Sequence, residues 1–234
     1  MTPEIRDLLA KYNIKTVCLD KNPLMIEAMA RLIKKKNPRE KVIRGSWFAI
    51  PFPKETFDLV VSDCPHDNLP YGDLARFFAE VARVIKKGGY FMVGTHCFVG
   101  RVKPITFAQF LARYKKSPKD FRNPSRKFYH YMCLSGDPMI YHKKNHTGDW
   151  IKLAQELDRL RKKGVLTKKE HAEISFPVTE VSMSLAMKFT TLSRKEFWEF
   201  MKKSHLSILG FLEDDEFPAG MFRQAYILKK MSDV

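Results

Sequence analysis

TVCLDKNPLMIEAMA, residues 16–30, decides how this chain reads. A short run from Thr16 to Leu19, led by two β-branched residues, ends on an acid, Asp20, and Asn22-Pro23 follows at once. Asn can offer its side-chain oxygen to the orphan amides of a helix start, and Pro suits the first turn because it has no N–H to lose. Met25, Met29, Leu32 and Ile33 give the next segment an apolar face at helical spacing. The basic run Lys34–Lys36 suits the last turn of that helix, where the backbone dipole is negative. The stretch therefore predicts strand, tight turn and helix.

The same alternation extends outward. Thr2-Pro3-Glu4 predicts an opening helix, capped by Thr2 and ending near Asn13. KVIRG (41–45) reads as a second strand. FDLVVS (57–62) reads as a third, nearly all apolar, as a strand covered on both faces should be. Asp73 is the expected cap of a helix carrying Leu74, Phe77, Phe78, Val81 and Ile85 on one side, and Lys87-Gly88-Gly89 turns into the strand YFMVG (90–94). Strands alternating with helices at this spacing predict an α/β fold: a Rossmann-like, doubly wound, mostly parallel sheet.

The pattern changes over 101–190. Pro104, Pro118, Pro124 and Pro138 interrupt a segment where aromatics interleave with Lys and Arg. One helix stands out, capped by Thr147 or Asp149 and carrying Trp150, Leu153, Leu157 and Leu160; Thr167-x-x-Glu170 offers a capping box for another. Ser193-x-x-Glu196 is a second box, opening a helix with Phe197, Trp198 and Met201. The stretch 209–230 then predicts an antiparallel hairpin around Glu213–Gly220. The organisation is thus a core over 1–100, a basic, partly helical insertion over 101–190, and a closing helix and hairpin over 191–234.

Charge is concentrated in the middle part. The 234 residues carry a net +16, of which residues 101–180 supply +10, with 18 Lys and Arg against 8 Asp and Glu. Such a segment attracts phosphate-rich partners, RNA or DNA, through counterion release and steering; a solvated lysine surface is the alternative. The run Arg113–Lys127, followed by FYHY, pairs cations for phosphates with rings for unstacked bases. Its candidate contacts are Arg113, Lys115, Lys116, Arg122, Arg126 and Lys127. No apolar run approaches a membrane span, and the N-terminus, with two acids and no apolar h-region, argues against a secretory signal. Cys18, Cys64, Cys97 and Cys133 lack framework spacing, which points to reduced thiols and an intracellular compartment. His130, Cys133, His142 and His146 fall at zinc-compatible intervals, but the set lacks the leading cysteines of a knuckle, and no metal is assigned.

Four segments together carry a family resemblance. TVCLDKNPLMIEAMA resembles the second strand and following helix of class I S-adenosylmethionine-dependent methyltransferases. GSWFAIPFPKETFDLVVSD (45–63) resembles their third-strand exit and fourth strand, and FFAEVARVIKKGGYFMVG (77–94) their E-x-x-R-V-L-K-P-G-G helix, turn and fifth strand. FLEDDEFPAGMFRQAYILKK (211–230) resembles their closing hairpin. The resemblance implies S-adenosylmethionine as cofactor, with Asp20 on the ribose hydroxyls, Trp47 against the adenine, and Lys21 and Ser46 beside them. Where the family commonly has an acid, this chain has Ser46. Asp63-Cys64-Pro65-His66 stands where amino-directed members carry D/N-P-P-Y/F/W. That implies Asp63, Pro65 and His66 as the catalytic loop, acting on a base amine.

One family part is missing. None of the eleven glycines forms a G-x-G pair, although only glycine lets backbone approach a cofactor so closely. The opening helix resembles the one after that loop, so the chain is expected to begin past the family's first, central strand. A gap of about 4.8 Å per strand cannot stay empty without stranding backbone donors. Either the flanking strands pair directly, another strand fills the gap, or a partner chain or second copy completes the sheet. Two functions follow as expectations: a nucleic-acid methyltransferase, or a derived nucleic-acid-binding or scaffold subunit that has lost the cofactor.

Overall fold

The computed structural model describes residues 2–98, 106–116, 141–142, 147–175, 188–190, 192–213 and 223–231. Helix α1 (Pro3–Lys11) opens the chain with Pro at its first turn, but Thr2 makes no side-chain cap bond, contrary to expectation. It ends in a turn whose third residue, Asn13, takes φ +52°, while the Ile14 amide reaches back to the Leu9 carbonyl at 3.0 Å. Strand β1 (Thr16–Asp20) leads into helix α2 (Pro23–Leu32), where Asn22 caps the Leu24 amide at 3.0 Å as its position promised. The helix stops before the basic run because the Asp7 carboxylate captures the Lys34 and Lys35 amides, at 3.0 and 2.9 Å. None of its residues is fully buried, and the expected apolar face leaves Leu32 58% exposed. Strand β2 (Glu40–Arg44) pairs parallel to β1.

A second sheet holds the core. Strand β3 (Phe57–Asp63) pairs parallel to β4 (Ile85–Phe98), which continues antiparallel through β10 (Arg223–Lys230) to β9 (Leu206–Glu213). The antiparallel hairpin thus closes the sheet as expected, with its tip outside the described residues. Strand β4 begins at Ile85, five residues earlier than predicted, because Lys86 to Gly89 bulge out between the Ile85 and Tyr90 pairings. Gly88 takes φ +74° there, and a Cβ on Gly89 would lie 2.9 Å from the Asp58 carbonyl oxygen. Helix α3 (Leu74–Val84) packs Phe77, Phe78 and Val81 with Phe91, Val93, Tyr226 and Leu228 of the sheet. It is entered from a tight turn over Tyr71–Asp73, so Asp73 forms no cap bond.

The opposite face of this sheet is not covered as the apolar sequence of β3 predicts. Leu59, Tyr90 and Met92, neighbours across β3 and β4, remain 40%, 41% and 39% exposed. Nor do β1 and β3 pair with each other, and no described strand lies hydrogen-bonded to both. Of the expected ways to complete the sheet, direct pairing of these two strands is therefore excluded.

The insertion contributes helix α4 (Phe107–Lys116), the small antiparallel sheet of β5 (Tyr141–His142), β6 (Thr147–Asp149) and β7 (Lys188–Thr190), helix α5 (Trp150–Lys162) and a helix α6 over 168–175. Of the two candidate caps it is Asp149 that holds α5, accepting from the Lys152 amide at 3.0 Å. Thr167 and Glu170 form the expected reciprocal box. Tyr114 of α4 donates to Glu173 of α6 at 2.5 Å, and burial with that carboxylate pushes its phenol pKa up. Strand β8 (Leu192–Ser193) rejoins β4, and Ser193 with Glu196 forms the box that opens helix α7 (Arg194–Lys203). Phe197 and Met201 of α7 complete the core.

Candidate functional site

The residues picked out by sequence fall at the C-terminal ends of β1, β2 and β3. Asp20 ends β1, half-buried, and its Oδ1 accepts from the Asn22 amide at 2.9 Å, which fixes the carboxylate in the strand-to-helix turn. Lys21 is exposed, and its carbonyl accepts from Arg44 Nε at 3.3 Å. Asp20 pairs with Arg44 in register and its carbonyl takes the Gly45 amide at 3.0 Å. Ser46 and Trp47 therefore leave β2 beside Asp20. Ser46 Oγ accepts from the Phe48 amide at 3.1 Å. Trp47 donates its indole N–H to the Leu19 carbonyl at 3.1 Å, and its ring centroid lies 6.1 Å from that of Phe77 on α3. At Gly45 a Cβ would meet Leu19 Cδ1 at 2.8 Å, so a larger residue there would displace the tip of that side chain.

The third strand delivers the other group. Asp63 ends β3 opposite Gly94 of β4, where a Cβ would stand 2.4 Å from Asp63 Oδ1. Cys64 takes φ +43°, a conformation that costs free energy in a non-glycine residue, while its amide donates to the Gly94 carbonyl at 2.9 Å. Pro65–Asn68 then form one tight turn in which Pro65, His66 and Asp67 are buried. His66 is 0% exposed, with Nε2 3.0 Å from Asp67 Oδ1. A Thr190 hydroxyl bond to the Leu69 carbonyl ties the turn to β7 of the insertion.

Beneath β1 and β2 lies a buried ionic cluster that the sequence did not single out. Arg6 of α1 binds Glu40 through Nε and Nη2, and Cys18 Sγ sits 3.4 Å from the same carboxylate. Burial, reinforced by Glu40, pushes the Cys18 thiol up to about 12.

The predicted polynucleotide contacts divide. Lys115 and Lys116 are exposed on α4, with Lys115 Nζ engaged by the Val165 carbonyl. The Arg113 side chain and residues Arg122, Arg126 and Lys127 lie outside the described residues, as do His130, Cys133, His146 and the side chain of His142. Among the described residues no group of three or more His, Cys, Asp or Glu is gathered for a metal. Further exposed cations were passed over: Lys152, Arg161, Lys162, Lys163, Lys168 and Lys169 on or between α5 and α6. Their signal was the excess of Lys and Arg over 159–169.

Comparison with known proteins accords with this architecture. Residues 4–89 match the family model described as a methyltransferase domain. No curated protein matches the chain. Among solved structures, a Pyrococcus horikoshii protein superposes with TM-score 0.53 at 15% identity, over 95% of this chain and 74% of its own. A SAM-dependent methyltransferase from Methanosarcina mazei gives 0.54 at 14% identity, over 97% and 86%. The methyltransferase-like chain in complex with the Haloferax volcanii Trm112 methyltransferase activator gives 0.50 at 14%, over 97% and 77%. No helix among the described residues is long and apolar enough to cross a membrane. Residues 4–89 thus resemble a methyltransferase domain, and nearly the whole chain shares its fold with these solved structures.

Proposed function

We propose that this chain binds S-adenosylmethionine and transfers its methyl group to a base amine in RNA or DNA, in an intracellular compartment. One observation supports the reading: Asp20, Ser46–Trp47 and Asp63–His66 each stand at or just past the C-terminal end of a parallel-paired strand, β1, β2 and β3, the end at which open α/β sheets take ligands. The donor set fits the cofactor. Asp20 commits one oxygen to its own turn and keeps the other for ribose hydroxyls, and a carboxylate accepts without donating. Trp47 offers a ring for the adenine, with Lys21 and Ser46 alongside. S-adenosylmethionine, when bound, supplies an electrophilic methyl on its sulfonium.

The chain's own task is then alignment, since methyl transfer depends chiefly on placing the lone pair in line. Asp63 and a carbonyl of the Cys64-Pro65 turn accept the amine hydrogens. His66, buried against Asp67, braces that turn. Exposed cations of α4, α5 and α6 hold phosphates through charge.

The test is calorimetric titration with S-adenosylmethionine, followed by transfer of labelled methyl to RNA, DNA and small amines. Heat of binding and label in a polynucleotide, lost in Asp63→Asn, are expected. A folded chain giving no heat rejects the enzyme for this chain alone; label only in small amines rejects the polynucleotide.

A second reading is a nucleic-acid-binding or scaffold subunit without methyl transfer. The absence of any G-x-G pair in the sequence favours it, as do the β1 and β3 edges that have no strand partner among the described residues. A protein partner or second copy that completes the sheet joins the two readings. The complex of the Haloferax volcanii neighbour with an activator protein offers an analogy.

A further inference from the structure

We infer that Glu80 and Arg83 are positioning residues for the adenine-side loop over 45–53, a role that rests on the cofactor reading above. The loop has no regular structure of its own beyond the Ser46–Ala49 bridge. What holds it is one stripe of α3, residues Arg76, Phe77, Glu80 and Arg83, which recur on a single helical face. Arg76 lies over the Phe48 ring, 5.4 Å from its centroid, and Phe77 packs against Trp47. Glu80 Oε1 accepts the Ile50 amide at 2.8 Å. Arg83 spreads its guanidinium over four acceptor oxygens: Phe52 O at 2.8 Å, Ile50 O at 2.9 Å, and both oxygens of Glu80 at 2.8 Å.

The chemistry suits a latch rather than a core contact. Ile50 has both its N–H and its C=O satisfied by this one pair, so its backbone is clamped from two sides. A planar fork with fixed donor directions can do this, and a lysine ammonium cannot. Neither side chain is needed to fill the hydrophobic core, which α3 builds from Leu74, Phe77, Phe78, Val81 and Ala82. The pair is partly exposed, and its bonds to backbone carbonyls are charge-assisted. Its effect is local: it sets where Ser46 and Trp47 stand relative to Asp20, and so how the adenine edge is met.

Two variants test this, Arg83→Lys and the double change Glu80→Gln with Arg83→Met. Two readings are taken on protein whose thermal unfolding stays cooperative. The first is hydrogen exchange: amides over 46–53 should exchange at least about tenfold faster while those of Phe91 and Val93 keep their protection. The second compares S-adenosylhomocysteine with S-inosylhomocysteine. The wild type should prefer the adenine form, and the variants should lose about tenfold of that preference, which a general loss of stability would not do. Unchanged loop exchange overturns the latch. Faster exchange with an unchanged base preference overturns the positioning role. A wild type that binds neither ligand overturns the cofactor reading and the positioning role with it, leaving the exchange result to decide the latch alone.

Discussion

Gly94 governs how Asp63 is presented. Its missing side chain is what admits the Asp63 carboxylate, since a Cβ would stand 2.4 Å from Oδ1. Gly94→Ala should therefore cost about 1–3 kcal/mol by denaturant titration, the range for overpacking, and abolish any methyl transfer. Gly72→Ala, with nothing within 4 Å of the new methyl, should stay within about 0.5 kcal/mol. Cys18 gives a second residue-scale expectation. Its thiol, buried beside Glu40, is raised from 9.0 to about 12. The unfolded chain releases that proton first, so the stability it protects is whole below pH 9 and is lost as pH rises towards 12. Peptide mapping after brief alkylation at pH 8 should find Cys64, half-exposed, modified before Cys18.

Among the elements, the helix starts separate what a motif promises from what tertiary context grants. Ser193→Ala breaks a reciprocal box on α7 and should cost about 1 kcal/mol, read as a lowered unfolding midpoint. Thr2→Ala removes no cap bond from α1 and should leave the midpoint in place. Boxes and Asx caps were legible because both partners lie within three residues, as at Asn22, Asp149, Thr167 and Ser193. The early end of α2 was not, because its cause is Asp7, 27 residues away. The bulge that starts β4 at Ile85 depends on pairing to β3, and periodicity carries no such information. Asp20, Trp47 and Asp63 could be read from their strand-end positions, whereas the burial of His66 and the grip of α3 on the Trp47 loop arise only from packing. The ion pair of Arg6 and Glu40 spans 34 residues and left no local mark.

Over the whole molecule, the cations of α4, α5 and α6 predict salt-dependent binding to polynucleotides. The logarithm of affinity should fall linearly with the logarithm of salt, and Lys162→Glu with Lys163→Glu should flatten that slope by about two units, near 0.9 per phosphate contact. A slope unmoved by these changes would assign the cations to plain solvation. Strand edges raise a different matter, because among the described residues β1 and β3 each keep one edge without a strand partner, and Leu59, Tyr90 and Met92 form a greasy flank. Edges of this kind recruit whatever extended backbone arrives first. A solitary population of this protein should therefore turn cloudy as it is concentrated, and a correct companion should clear it. Light scattering against concentration would reveal the habit, and scattering that stays flat would show that these borders are already protected.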